Sequence, residues 1–136
     1  MRLFLLESEE STLIEVKYRD GCISIKGHAG YAEPGKDIVC AGVSTLVQNL
    51  VNSIDKLTGD KVIFSVNPNI VNVKYSHLSD DSKLLVDAFF IGINMIASVY
   101  PKNVKVVDMP AQALKALKAT ETKNKRKFQK FGGRNR

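Results

Sequence analysis

Leu13-Ile14-Glu15-Val16-Lys17-Tyr18-Arg19-Asp20-Gly21-Cys22-Ile23-Ser24-Ile25-Lys26 reads as a β-hairpin. Apolar and polar side chains alternate on both sides of an Asp-Gly turn, the period of strands with one face against a core and the other against water. Beyond it the period lengthens. From Asp37 to about Thr58, Val39, Val43, Leu46, Leu50, Ile54 and Leu57 recur in steps of three and four, and Val47 and Val51 widen the stripe. These steps mark one face of a largely buried helix, with Gly59-Asp60 as its stop. A second hairpin follows, Val62–Val66 and Ile70–Tyr75 around Asn67-Pro68-Asn69, a turn with no chemical role of its own. Ser79-Asp80-Asp81 then supplies a cap and two acids ahead of Leu84, Leu85, Ala88, Phe89, Ile93 and Ile96, a second helix ending near Tyr100-Pro101. A short final strand is expected over Val104–Val107.

The order ββαββα implies an α+β fold, a two-layer sandwich whose two helices pack on one face of a mainly antiparallel sheet. Residues 2–6 could add a strand or form a lead-in. The chain of 136 residues, 44% hydrophobic, falls in the range of a single domain with a sizeable core. The apolar run at the start stops at Glu7, too short for a signal h-region or a membrane span, so a cytoplasmic location is expected.

The net charge of +6 is unevenly spread. Residues 109–136 hold nine Lys or Arg against one acid, Glu121, while residues 1–108 hold eleven against thirteen. The chain therefore divides into a domain over 1–108 and a basic tail over 109–136. The tail opens with a stretch from Met109 to Lys118 that can form one helix, but from Lys123 it lacks the apolar surface to order itself. It is either a solubilising end or a segment drawn to RNA phosphates, as on a ribosome, with Phe128 and Phe131 available to stack.

Two cysteines cannot make a disulfide framework, and in a reducing compartment Cys22 and Cys40 are both free thiols. A zinc site would need Cys22, His28, Cys40 and His77, which lack paired-ligand spacing, so no metal or other cofactor is expected. Cys22 reads as a small hydrophobe and His77 as a solvent-facing loop residue.

His28 and Cys40 bracket the connection between hairpin and helix. Their spacing can set an imidazole at a strand end and a thiol in a first helical turn, the parts of an activated sulfur nucleophile. A buried inert cysteine beside a strand-end histidine is the plainer alternative. Lowering a thiol from about 8.5 to about 6 takes roughly 3.4 kcal/mol, of which a helix N-terminus gives at most ~2 kcal/mol. An imidazolium must provide the rest, so the pair should come within hydrogen-bond reach, at least with substrate bound.

Gly27-His28-Ala29-Gly30-Tyr31-Ala32, then Gly35-Lys36-Asp37-Ile38-Val39-Cys40-Ala41 with Val43-Ser44 following, resembles the signature of the ribosomal-processing cysteine protease family (Prp, YsxB-like). The likeness runs from about Leu13 to Val107. It departs at Gly42, where the family usually has Ala, at a cost to the helix of up to about 1 kcal/mol. The resemblance implies a cysteine endopeptidase that removes a short N-terminal extension from a large-subunit ribosomal protein, number twenty-seven, cutting after an aromatic pair. It also implies a homodimer. Phage-encoded relatives process capsid and scaffold proteins, and a non-catalytic, ribosome-associated RNA-binding factor is the alternative of another class.

On this reading His28 and Cys40 are catalytic. Asp37 stands where a helix N-cap belongs, whereas the resemblance offers it as the orienter of His28. The loop Ala29–Lys36 would be a flap that orders over substrate through Gly30, Tyr31, Gly35 and Lys36, with main-chain N–H groups near Cys40 as an oxyanion hole. Ser44, one turn along the helix, either touches substrate or bonds to a backbone carbonyl.

Overall fold

The computed structural model describes residues 13–30, Ala32 and residues 37–119. A strand over residues 2–6 lies outside them, as does the basic run from Lys123 with Phe128 and Phe131. Strands β1 (Ile14–Arg19) and β2 (Cys22–Lys26) form the expected hairpin, with Arg19 opposite Cys22. The chain continues through α1 (Ile38–Leu57), β3 (Ile63–Asn67), β4 (Ile70–Lys74), α2 (Asp80–Val99) and β5 (Val104–Asp108).

The five strands lie in the order β3-β4-β2-β1-β5, antiparallel throughout except where β5 runs parallel to β1. Each helix is a crossover between parallel strands, α1 from β2 to β3 and α2 from β4 to β5. The two crossovers run in opposite strand directions and shift sideways in opposite senses. Right-handed connections of that kind put both helices on the same face. There Val16, Ile23, Val73 and Val104 of the sheet meet Val39, Val43 and Ile54 of α1 and Phe90 and Ile93 of α2. The opposite face of the sheet carries Glu15, Lys17, Arg19, Ser24 and Lys26, the polar half of the alternation.

The helices depart from the sequence reading at their ends. Leu57 and Leu84, placed on the apolar stripes, are 73% and 68% exposed. The buried face of α2 instead runs through Ser82, Val86, Phe89, Phe90 and Ile93. Ser82 is fully buried, with its hydroxyl 3.1 Å from Thr58 Oγ1. The stop of α1 is Thr58, whose N–H and hydroxyl both donate to the Ile54 carbonyl, and not a left-handed Gly59. Gly42 has a packing reason. A Cβ there would stand 3.2 Å from Ile96 Cδ1, so the missing methyl lets α1 approach α2.

Asp60 ties the two helices together. Its carboxylate accepts the Ser79 N–H at 2.8 Å and the Ser79 hydroxyl at 2.7 Å, at the N-cap of α2. Hydrogen bonds from Ser82 and Ser79 hold its pKa at about 2, below the ordinary 3.8. A carboxyl depressed in the folded state adds stability above its unfolded pKa and loses it as pH falls through the folded one. Wild type should therefore unfold at higher urea than Asp60→Asn at pH 5 and above, with the gap closing between about pH 4 and pH 2. Urea midpoints across that range measure it.

The folded unit continues past residue 108. Residues 111–119 are helical, Ala113 is fully buried and Met109 packs against the core. The small Ala113 side chain docks a segment whose Lys115 and Lys118 stay outside, exposed.

Candidate active site

The register brings four chain segments to one end of the sheet. β2 finishes there, while β1, β4 and β5 begin there, since Lys26 pairs with both Glu15 and Ile70 and Ile14 pairs with Val104. The residues just outside those strands are Gly27-His28-Ala29, Asn69 and Asn103, and the N-terminus of α1 lies against them.

Asp37 is the N-cap of α1. One oxygen of its carboxylate, Oδ1, accepts the N–H groups of Val39 at 3.0 Å and of Cys40 at 2.9 Å, and the Asp37 carbonyl accepts the Ala41 N–H at 3.1 Å. The first donors of the helix are thus taken by its own cap.

Cys40 is half-buried in the first turn and packs against the core. Its Sγ accepts the Ala29 N–H at 3.4 Å. Burial pushes the Cys40 thiol up, the Ala29 hydrogen bond opposes this, and the charge and hydrogen bonding of Asp37 push it further up. These effects favour the thiol form of Cys40. The sequence reading has it lowered toward 6 with the help of an imidazolium; desolvation and Asp37 act in the other direction.

His28 is exposed. Its Nε2 lies 3.2 Å from the side-chain Oδ1 of Asn69. Among the described residues no hydrogen bond joins His28 to Cys40. Gly27, just before it, has φ +96, and a Cβ at that position would collide with the Leu13 carbonyl. The Gly27 N–H donates to the Asn69 carbonyl at 2.9 Å, so the main chain is clamped on both sides. Ala29 is fully buried, and its carbonyl accepts the Asn103 side-chain amide at 2.7 Å. Asn103 is itself fixed, since its carbonyl takes the Ile14 N–H at 2.9 Å and its N–H donates to Tyr100 at 3.0 Å.

The arrangement is a buried backbone donor aimed at a thiol, on a helix terminus, at the same sheet end as an imidazole. The family model described as Cysteine protease Prp matches residues 13–105. The chain belongs to the Prp family of cysteine proteases. The ribosomal processing cysteine protease Prp of Staphylococcus aureus (strain Mu50) is 26% identical over 87 residues, 62% of this chain and 82% of that protein. The Prp of Bacillus subtilis (strain 168) is 28% identical over 87 residues, 59% of this chain and 78% of that one. A crystal structure of the S. aureus protease with a covalently linked product peptide shares the fold, with a TM-score of 0.64 at 22% identity over 71% of this chain and 97% of that one.

In this Prp chain the sequence-expected residues divide. His28, Asp37 and Cys40 come together at one end of the sheet. Gly30 is exposed beside them with φ +64. Tyr31, Gly35, Lys36 and most of the proposed flap lie outside the described residues. Ser44 is exposed, and the bond to a helix carbonyl is made by its neighbour Thr45, which donates to Ala41 at 2.8 Å. Cys22 is half-buried, its thiol 3.7 Å from Asn72 Oδ1, and His77 is exposed. Asn69 and Asn103 carry no sequence signal. They are 41 and 74 residues from the groups they hold, and only strand order makes them neighbours.

Asp37 can be tested apart from proteolysis. Asn caps a helix about as well as Asp, so Asp37→Asn should leave stability within ~0.5 kcal/mol of wild type. Removing the charge should lower the thiol pKa and shift the pH profile of Cys40 alkylation by iodoacetamide to lower pH. Asp37→Ala should cost about 1 kcal/mol through the lost cap. Undiminished proteolysis in Asp37→Asn would remove Asp37 from the catalytic set.

Proposed function

We propose that this protease is an endopeptidase that trims a short N-terminal extension from a large-subunit ribosomal protein, number twenty-seven, with Cys40 as nucleophile and His28 as base and acid. The observation that carries it is the Ala29 N–H on Cys40 Sγ at the head of α1, in a chain whose relatives bear the name ribosomal processing cysteine protease Prp.

His28 takes the Sγ proton as sulfur attacks the scissile carbonyl carbon, forming a C–S bond and an oxyanion. With Val39 and Cys40 N–H consumed by Asp37, the Ala29 N–H is the backbone donor facing the nucleophile. It stabilises the thiolate first and the oxyanion next. The imidazolium then protonates the leaving amine as the C–N bond breaks. His28 then deprotonates a water that attacks the thioester carbon; the C–S bond breaks, the new C-terminal carboxyl group leaves, and the imidazolium returns the proton to sulfur. Burial and Asp37 favour the thiol form of Cys40, so deprotonation accompanies attack.

Incubation of the chain with a peptide spanning the extension, followed by mass spectrometry, tests this. One cut after an aromatic pair supports it; an intact ribosomal peptide beside a cleaved capsid or scaffold precursor overturns the substrate. Salt-sensitive RNA binding with no cleavage of either peptide would favour the non-catalytic reading.

A further inference from the structure

We propose that Asn69 is a positioning residue for His28: its side-chain oxygen holds the Nε2 proton and leaves Nδ1 as the nitrogen that exchanges a proton with Cys40. This rests on the roles of His28 and Cys40 given above.

A neutral imidazole has one protonated and one bare nitrogen, and only the bare one can act as a base. The 3.2 Å contact between Nε2 and Asn69 Oδ1 makes that choice. An exposed histidine otherwise samples several rotamers, most of which aim neither nitrogen at the thiol. Asn69 is suited to hold it because its own backbone is pinned. It sits in the two-residue connection between β3 and β4, closed by the Asn67–Ile70 pair. Its carbonyl accepts the Gly27 N–H at 2.9 Å, one residue from the ring it orients. Pro68 restricts the connection further through its fixed φ.

When His28 takes the thiol proton, Nε2–H stays on Oδ1 and becomes a charge-assisted bond, stronger than before. An amide does this without adding a second negative charge beside Cys40, whose thiolate Asp37 already disfavours. Asp37 Oδ1 serves the helix cap, and Asn69 brings an orienting contact from another hairpin.

Asn69→Ala, cleaving the extension peptide, should lose roughly ten- to a hundredfold in kcat with KM little changed. Asn69→Asp, which keeps an acceptor oxygen but adds a negative charge near Cys40, should keep the wild-type ring signals and recover only part of that loss. Nitrogen-15 spectra of the histidine rings supply a readout that needs no substrate. The chain has two histidines, and His77→Gln assigns them. In wild type the His28 signals should show a protonated Nε2 and a bare Nδ1, and in Asn69→Ala they should move to the averaged positions of an unrestrained imidazole. A protonated Nδ1 in wild type, or ring signals and kcat both unchanged in Asn69→Ala, overturns the proposal. If wild type cuts no extension peptide, the proposed function fails while the ring spectra still decide Asn69. Melting curves by circular dichroism confirm that the variants fold.

Discussion

Cys40→Ala is expected to cut nothing: the rate on an extension peptide falls roughly 10,000-fold or more, the order of loss when a protease nucleophile is removed. His28→Ala should fall by a comparable factor. The double variant should be no worse than either, because nucleophile and base act as one unit. Neither change should unfold the protein. Cys40 is half-buried in a helical turn that Ala favours, and His28 is exposed with its ring on one side-chain partner. Cys40→Ser should be equally inactive, since a hydroxyl is far harder to ionise than a thiol and the Asp37 carboxylate disfavours an anion there. Initial rates by mass spectrometry, with circular dichroism melts as controls, measure all four proteins. Cleavage that survives Cys40→Ala would end the assignment.

Gly27→Ala should be the most damaging small change outside the proposed pair, His28 and Cys40. At φ +96 the backbone is strained for any L side chain, and the added Cβ collides with the Leu13 carbonyl, which is backbone and cannot swing aside. Adopting this conformation would cost about 1–3 kcal/mol, a large share of the stability of a small domain. The chain can relieve the clash only by moving residue 27. That breaks the Gly27–Asn69 main-chain bond and displaces both His28 and the Ala29 N–H. The variant should therefore lose its urea midpoint and its activity together, and activity should stay low at temperatures where the protein is fully folded. Gly42→Ala is the useful contrast. It meets only the end of Ile96, a side chain that can shift by a few tenths of an ångström, and should change stability by less than about 1 kcal/mol while leaving cleavage intact.

Asp37 shows what local sequence can establish. Its position ahead of the Val39-Val43-Leu50-Ile54 stripe predicts a cap, and the two N–H groups on its Oδ1 are that cap. Local sequence leaves open which main-chain N–H faces the thiol: it is that of Ala29, on the far side of the loop. Leu57 and Leu84 mark a related limit. Periodicity finds the apolar stripe but not how far the facing layer extends, so residues in phase with the core or adjacent to it can still lie outside it.

The sequence by itself determined the two hairpins, the two long helices, the α+β class, and the pair His28 and Cys40 at the junction of strand and helix. Those features depend on periods, turns and caps within about twenty residues, where local backbone preferences and alternating polarity suffice. Only the tertiary structure decided what surrounds the pair. The order β3-β4-β2-β1-β5 sets the ends of β2, β4 and β5 together, so Asn69 reaches the imidazole and Asn103 holds Ala29 against the thiol. Strand order is fixed by which faces can be buried together across the whole chain. The residues it brings to the sheet end share a site without sharing a motif.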